Sequence, residues 1–253
     1  MPGQATKLQY RSAARSHIGL VRSRNEDAVL ERPAIGLWAV ADGAGGHDFG
    51  DHASTRIVEA LAEIMAGEAF PDEIKRRLAG VHRELRHMAA ETSRSAIAST
   101  VVAVAIRAQR FHCVWAGDSR LYLLRDGSLK QINHDHSYVQ RLVDQGIISQ
   151  KSADTHPLAN LVTNLVGGTE NLLLEEVGDV LETQDRLLLC SDGLNRAVSD
   201  SAIADILGRH QPAEAADSLI RSALEGGGRD NVSVVVIGVS AEPDQRPRSP
   251  LTR

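Results

Sequence analysis

Four aspartates in the sequence lie next to apolar segments, and each is followed by a residue that suits a tight backbone turn. They are Asp42 before Gly43, Asp118 before Ser119, Asp192 before Gly193, and Asp230 before Asn231. A single Asp-Gly pair is usually only a turn signal, because Asp caps its own backbone and Gly accepts a positive φ. Four such sites beside apolar segments predict instead that the acids emerge together at one end of the core. Like charges packed this closely require a cation.

The ligand chemistry of such a cluster indicates which cation it would bind. A set of oxygen ligands suits Mg²⁺ or Mn²⁺, whereas zinc would require Cys or His. A fifth acidic element, Asn25-Glu26-Asp27, follows Arg22 by a few residues. Read alone, this stretch is a solvated turn before a strand. Beside a carboxylate-bound metal pair, the Arg22 guanidinium could bind two phosphate oxygens in a bidentate fork.

Composition excludes several classes of protein. The chain has 253 residues, of which 42% are hydrophobic and 24% are charged, as is usual for globular proteins. Its formal net charge is −5 and no Lys/Arg-rich run occurs, so we expect no binding to nucleic acid. No apolar stretch approaches the roughly 20 residues that span a bilayer, so we expect no membrane association. The two cysteines, Cys113 and Cys190, are predicted to be buried thiols in a monomeric cytoplasmic protein.

Apolar periodicity places the chemistry-bearing residues on predicted elements. The run at 34–41 predicts a buried strand that stops at Asp42, and two amphipathic helices follow it. Four short strand patterns then predict an antiparallel meander at 100–106, 111–116, 121–124 and 128–132. The segment 147–169 is long and weakly periodic, and we expect residues 144–169 to form a mobile flap beside the site.

The remaining pattern predicts one domain over residues 9–240. A short helix is expected around 138–143, strands at 172–177 and 186–190, helices near 203–207 and 213–224, and a last strand at 232–239. Strand groups broken by helix pairs indicate antiparallel sheets with helices packed outside them, which is an α+β fold. Residues 241–253, where prolines stand among charges, are predicted to be a disordered tail.

Taken in order, these motifs resemble those of the metal-dependent protein phosphatases, the type 2C or PPM family. The matching elements are Arg22-x-x-Asn25-Glu26-Asp27, Asp42-Gly43-x-Gly45-Gly46-His47, Gly117-Asp118-Ser119-Arg120, Ser191-Asp192-Gly193 and Asp230-Asn231. The resemblance covers residues 12–240 and is to bacterial members that consist of the catalytic domain alone. It implies a four-layer α-β-β-α sandwich, with two antiparallel sheets flanked by helices. It also implies hydrolysis of phosphoserine and phosphothreonine in proteins.

The resemblance further implies a site for two Mn²⁺ or Mg²⁺ ions, with room for a third. The residues that it assigns to the metals are Asp42, Asp192, Asp230 and the carbonyl of Gly43 as ligands, Glu26 and Asp27 acting mostly through metal-bound water, and Asp118 with Asp192 at the third ion. Two such ions would lower the pKa of a bridging water and orient it in line with phosphorus, so no protein nucleophile is needed.

Three further residues are assigned to the substrate. Arg22 is expected to hold the phosphoryl group. In some relatives a His directly after Asp-Gly serves as the general acid, and His47, which follows Gly46 here, is the candidate for a catalytic or cleft-lining role. Asn164 stands where the family often has an Arg, so we expect it to alter substrate selection.

Alternative functions differ in what they require of these residues. A pseudophosphatase that only binds phosphoproteins has no need of a repulsive carboxylate cluster. A phosphatase of anti-sigma-antagonist proteins shares the metal site but normally carries sensory domains, which we do not expect here. A nucleotide or small-ester hydrolase would require an aromatic clamp, for which the aromatic content of 3% is low. The expected partners are therefore phosphorylated proteins, with a cognate Ser/Thr kinase by analogy to stand-alone bacterial relatives.

Overall fold

Two antiparallel sheets face each other in the structure, a computed structural model that describes residues 8–44, 49–67, 71–92, 96–153 and 155–242. The first sheet consists, in spatial order, of β1 (Leu8–His17), β11 (Val232–Ala241), β10 (Arg186–Cys190), β7 (Arg120–Arg125) and β8 (Ser128–Gln131). The second consists of β2 (Asp27–Arg32), β3 (Leu37–Ala44), β5 (Val101–Arg107), β6 (Arg110–Ala116) and β9 (Glu175–Val180), with the short β4 (Ala98–Ser99) beside β3.

Helices cover the outer face of each sheet. Helices α1 (Gly50–Ala62) and α2 (Asp72–Glu91) pack on the second sheet, and α6 (Asp200–Arg209) and α7 (Pro212–Glu225) pack on the first. Three shorter helices lie in connections: α3 (Tyr138–Asp144), α4 (Gln150–Ala153) and α5 (Asp192–Asn195). The α+β class and the four-layer arrangement predicted from the sequence are thus confirmed. Within the described ranges, no helix has the length and apolar character that crossing a membrane requires.

The central strands are buried on both faces, which explains why they read as continuous apolar runs. Leu187 and Leu189 of β10 point between the sheets, whereas Leu188 points into the layer under α6 and α7. Side chains along β3 alternate in the same way: every second one points between the sheets, and the others point into the layer under α1 and α2. Both cysteines are buried and unpaired, as expected.

The predicted four-stranded meander is wrong in one respect, because the chain changes sheets in the middle of it. Strands β5 and β6 belong to the second sheet, whereas β7 and β8 belong to the first. The crossing lies between β6 and β7 at Gly117, whose φ is +110°. A Cβ there would lie 2.5 Å from Cβ of Thr100, so only glycine fits. Asp118 follows directly, which places it between the two sheets.

Smaller differences concern the ends of elements and strands that were not predicted. The strand expected at 34–41 begins at Leu37, because Pro33–Ile35 forms a 3-10 turn that ends at Gly36 with φ +68°. The strand expected at 172–177 is β9, which begins three residues later. Strand β1 was not predicted, because its ten residues contain no apolar run and only Ala13 among them is buried. The expected tail falls largely on residues 243–253, which lie outside the described part of the chain, so it stays a prediction.

A buried ion pair secures the crossing between the sheets. Arg120, the first residue of β7, donates from Nε and Nη2 to the carboxylate of Asp135 at 3.1, 3.0 and 2.7 Å. Gln131 donates to the same carboxylate at 2.7 Å. The side chains of Arg120 and Asp135 are 17% and 8% exposed. The pair therefore fixes the segment that carries Asp118 against the loop that follows β8.

Replacing Asp135 tests how far the fold depends on this pair. We expect Asp135→Ala to lower the free energy of unfolding by about 3 kcal/mol, because it leaves the Arg120 charge buried without its partner. Urea unfolding measures this loss. The matched control is Asp205→Ala, which removes a surface pair with Arg209 whose side chains are both more than 70% exposed. It should cost less than about 0.5 kcal/mol, and equal losses in the two variants would contradict the argument.

Candidate active site

The structure brings the candidate acids together at one end of the two sheets. Asp27 and Asp42 are directly paired across β2 and β3. Asp192 lies two residues after the end of β10, Asp230 lies two residues before the start of β11, and these strands are neighbours. Asp118 enters from the crossing between β6 and β7. The site thus draws acids from both sheets.

Burial and mutual repulsion both act on these carboxyl groups. Burial raises the pKa of Asp27 to about 7, and the charges of Asp192 and Asp230 add to that effect. Burial also raises the pKa of Asp118 to about 7, and the charge of Asp192 makes the largest repulsive contribution. The pKa of Asp42 is raised well above its ordinary value by burial and by the neighbouring carboxylates, Asp27 first among them. Without a cation, the cluster therefore retains protons that free aspartates would have lost.

The acids fit a divalent cation by their donor chemistry. The Oδ1 atom of Asp27 is buried and has no hydrogen-bond partner among the described residues, while its Oδ2 accepts a hydrogen bond from Ser191 Oγ at 2.8 Å. An unpartnered, buried carboxylate oxygen is costly unless a cation binds it. As they stand, the described residues include no three acids grouped around one point. Arginine side chains bind individual carboxylates of the cluster.

One of these arginines is Arg22. Its Nε and Nη2 atoms donate to Oδ1 and Oδ2 of Asp230, each at 2.8 Å, in a parallel fork. The Arg22 side chain is 55% exposed, so it lies at the rim of the cluster. The interaction with Asp230 raises the pKa of Arg22 further above its usual value. A phosphoryl group offers the same pair of acceptor oxygens as this carboxylate does.

Close backbone contacts explain the glycine after Asp42. The Gly43 amide donates to the carbonyl of Glu26 at 3.1 Å. A Cβ on Gly43 would lie 2.1 Å from the Gly50 carbonyl oxygen, so a side chain cannot be accommodated. The Glu26 carboxylate packs against Gly50 in turn, where a Cβ would come within 2.8 Å of it. Burial raises the pKa of Glu26, and the charge of Asp51 contributes to this shift.

The Asn231 side chain positions the segment before β2. Its Oδ1 accepts a hydrogen bond from the Glu26 amide at 2.8 Å, and its Nδ2 donates to the carbonyls of Ile18 and Arg24 at 2.9 and 2.8 Å. The sequence suggested only a turn at this position. Its role depends on three backbone groups some two hundred residues away, and its position beside Asp230 is the one signal that could have revealed it.

Two hydroxyl residues that the sequence reasoning did not place in the site also support it. Thr100 Oγ1 accepts a hydrogen bond from the Asp42 amide at 3.1 Å and is bonded to Ser119 Oγ at 2.7 Å. Ser191 Oγ accepts a hydrogen bond from the Ser233 amide at 2.9 Å while it donates to Asp27. These contacts hold the strand ends that carry the acids. His47, the candidate general acid, lies outside the described residues.

The sequence model of the family described as Protein phosphatase 2C matches residues 15–225. The chain belongs to the protein phosphatase 2C family. The resemblance drawn from the motifs is confirmed, and so is the class of enzyme at the level of the family, because its named relatives are serine/threonine protein phosphatases.

Three relatives illustrate the similarity. The serine/threonine protein phosphatase PstP of Mycobacterium tuberculosis is 41% identical over 239 residues, which cover 92% of this chain and 45% of PstP. The chain thus spans about half the length of that relative. The structure of PppA, described as a key regulatory component of T6SS in Pseudomonas aeruginosa, is 42% identical with a TM-score of 0.86, covering 94% of this chain and 100% of PppA. The PstP catalytic domain in complex with two manganese ions is 38% identical with a TM-score of 0.84, covering 92% and 99%.

Within this phosphatase fold, the segment expected to form a flap is anchored at its far end. Val166 pairs with Ser99, and the Thr163 amide donates to the carbonyl of His136 at 2.7 Å. Asn164 lies in this anchored part of the segment. Its side chain is buried, and its Nδ2 donates to His136 Nδ1 at 2.8 Å and to the Leu173 carbonyl at 2.7 Å. The side chain thus ties His136 and the backbone at Leu173 to this segment, and an effect of Asn164 on substrate selection stays a prediction.

The raised pKa of Asp27 predicts how the metal-free phosphatase domain responds to pH. The folded state holds this proton up to about pH 7, whereas the unfolded chain releases it near pH 4. The free energy of unfolding should therefore fall as pH rises through this window, by at most about 1.4 kcal/mol per pH unit for the group. We expect Asp27→Asn to flatten this slope between pH 5 and 7.

Urea unfolding in EDTA at several pH values measures the slope. The matched control is Asp217→Asn, which alters an exposed carboxylate paired with Arg15. Saturating Mn²⁺ should reverse the loss of stability at pH 7 in the wild type, because the ion takes the place of the protons. An Asp27→Asn slope identical to that of the wild type would show that Asp27 is not the titrating group.

Proposed function

We propose that this chain hydrolyses phosphoserine and phosphothreonine in proteins and that it requires two Mn²⁺ or Mg²⁺ ions. The observation that carries the proposal is the gathering of desolvated aspartates from both sheets, with Oδ1 of Asp27 left without a partner in the described structure. The proposed ligands are Asp42, Asp192, Asp230 and the carbonyl of Gly43. Glu26 and Asp27 would act mostly through water bound to the ions. The two manganese ions of the related PstP domain support this assignment.

The residues of the chain bind and orient the metal ions and the substrate. When bound, the ions provide a water of lowered pKa as nucleophile and neutralise charge on the phosphoryl oxygens. The described site offers no side chain suited to direct attack on phosphorus. Ser191 Oγ is held between Asp27 and the Ser233 amide. Burial raises the pKa of Cys190 to about 12, so its thiol is not a nucleophile at neutral pH.

Arg22 is proposed to bind the phosphoryl group. Its fork on Asp230 is the geometry in which a guanidinium binds two phosphate oxygens, and its exposure allows a substrate to reach it. An ion bound to Asp230 would weaken the pair and free the guanidinium for the substrate. Arg22 thus changes partners while it remains at the rim of the site.

The pathway is proposed by analogy with the relatives. PppA is described as a key regulatory component of T6SS. By analogy with stand-alone bacterial relatives, we propose that this chain opposes a Ser/Thr kinase whose phosphoprotein products are its substrates. A cytoplasmic location and a monomeric state stay predictions. The pseudophosphatase alternative is not favoured, because the repulsive acids are retained. Phosphoproteomes with and without the chain would identify the substrates.

Removing the metal or a ligand should abolish turnover. With a phosphothreonine peptide, we expect activity in Mn²⁺ to disappear in EDTA and to return when Mn²⁺ is restored. Asp42→Asn should lower kcat/KM by about a hundredfold or more, because it removes a ligand charge from the centre of the cluster. Asp217→Asn is the matched control and should retain the wild-type rate. Full turnover in EDTA would overturn the proposed mechanism.

Arg22→Ala should act on substrate binding. We expect KM to rise with little change in kcat, since the contact with phosphate exists in the ground state and in the transition state alike. Arg22→Lys should recover only part of the loss, because an ammonium group cannot form the fork. Steady-state kinetics measure both variants, with Arg209→Ala as a surface control. An unchanged kcat/KM in Arg22→Ala would exclude the residue from the site.

A further inference from the structure

Asp118 and Asp192, the acids assigned by resemblance to a third metal ion, already share a cation that belongs to the chain. Nη2 of Arg196 lies 2.8 Å from Oδ2 of Asp192 and 3.5 Å from Oδ2 of Asp118. Arg196 directly follows α5 and stands four residues after Asp192, so the two side chains lie on the same face. The guanidinium therefore lies between the two acids.

The same guanidinium also reaches the segment expected to form a flap. Its Nη1 donates to Oδ1 of Asn160, and its Nη2 is 3.4 Å from the carbonyl of Ala159. Asn160 is exposed and lies in a turn, outside the named helices and strands. Arg196 thus joins the acidic cluster on one side to the turn at 159–160 on the other.

This arrangement competes with a third ion for the same oxygen atoms. A metal at Asp118 and Asp192 would have to displace the guanidinium from Oδ2 of both, and the two cations would repel each other. Arg196 already lowers the pKa of Asp118, against the larger opposing effect of burial. Its side chain is only 33% exposed, so part of its interaction with the acids is shielded from water. The residues present therefore do not fit a third ion.

We infer that Arg196 replaces a third metal ion at Asp118 and Asp192 and fastens the turn at 159–160 to the active site. The inference rests on the proposed two-metal function and assigns a positioning role to one residue. Arg22 contrasts with it. Arg22 binds a single carboxylate at the exposed rim and can change partners. Arg196, in contrast, is bound by acceptors from three separate parts of the chain.

The stoichiometry of Mn²⁺ binding tests the replacement. Calorimetric titration of the full chain should give two ions for the wild type. Arg196→Gln should give three, because it frees both carboxylates without removing the bulk of the side chain. Arg196→Lys keeps a positive charge four residues after Asp192 and should give two. Arg209→Ala is the surface control and should also give two.

Hydrogen exchange of the amides at 155–161 tests the tie to the turn. We expect Arg196→Gln and Asn160→Ala each to speed exchange there on the order of tenfold, since both break the link between the turn and the guanidinium. Asn160→Ala leaves the ion pairs of Arg196 in place and should still bind two ions. The two variants thus separate the effect on the turn from the effect on the metal.

Binding of three Mn²⁺ ions by the wild type, or of only two by Arg196→Gln, would show that Arg196 does not replace a third ion. Unchanged hydrogen exchange at 155–161 in Asn160→Ala would show that Arg196 does not fasten the turn. If Arg196→Gln does not fold, Asn160→Ala and the wild-type stoichiometry still decide both points. A wild type that binds two ions and hydrolyses phosphothreonine retains the proposed function even if these results fail. A wild type that binds no Mn²⁺ and has no turnover overturns the proposed function itself.

Discussion

Repulsion among buried aspartates at one end of the two sheets is the constraint on which the rest of the structure depends. Burial raises the pKa of Asp27, Asp42, Asp118 and Asp192, and each charge adds to the others. A fold cannot hold such a group at neutral pH without cations or bound protons. In the described structure, arginines partly supply the positive charge, and hydrogen bonds from hydroxyl and amide groups hold the strand ends in place.

Burial of apolar side chains compensates for the unfavourable free energy of this charge cluster. Three apolar layers, one between the sheets and one under each pair of helices, stabilise strands whose ends carry the acids. Two glycines also contribute to this packing, because Gly43 and Gly117 let backbone segments approach more closely than a Cβ permits. The unfavourable electrostatics are thus confined to one edge, where a divalent cation can relieve them.

Much of this could be predicted from the sequence, because strands buried on both faces appear as apolar runs and acids at their ends stand out. Strand β10 was predicted with its observed bounds for this reason. The change of sheets at Gly117 could not be predicted, since two successive strands show the same spacing whether or not they pair. Strand β1 was missed because its residues, LQYRSAARSH, contain no apolar run, and its register is set by pairing with β11 along ten residues.

The polar contacts around the acids are harder to predict than the acids themselves. Asn231 and Thr100 act on backbone groups distant in sequence, so nothing local to them shows their role. Arg196 illustrates the limit. Its spacing from Asp192 is visible in the sequence, but such a pair on a helix is usually a weak surface contact. Only the crossing that brings Asp118 to the same place, and the turn that brings Asn160, make the guanidinium part of the site. A charged side chain thus becomes part of a site when the fold places around it acceptors from segments that are distant in sequence.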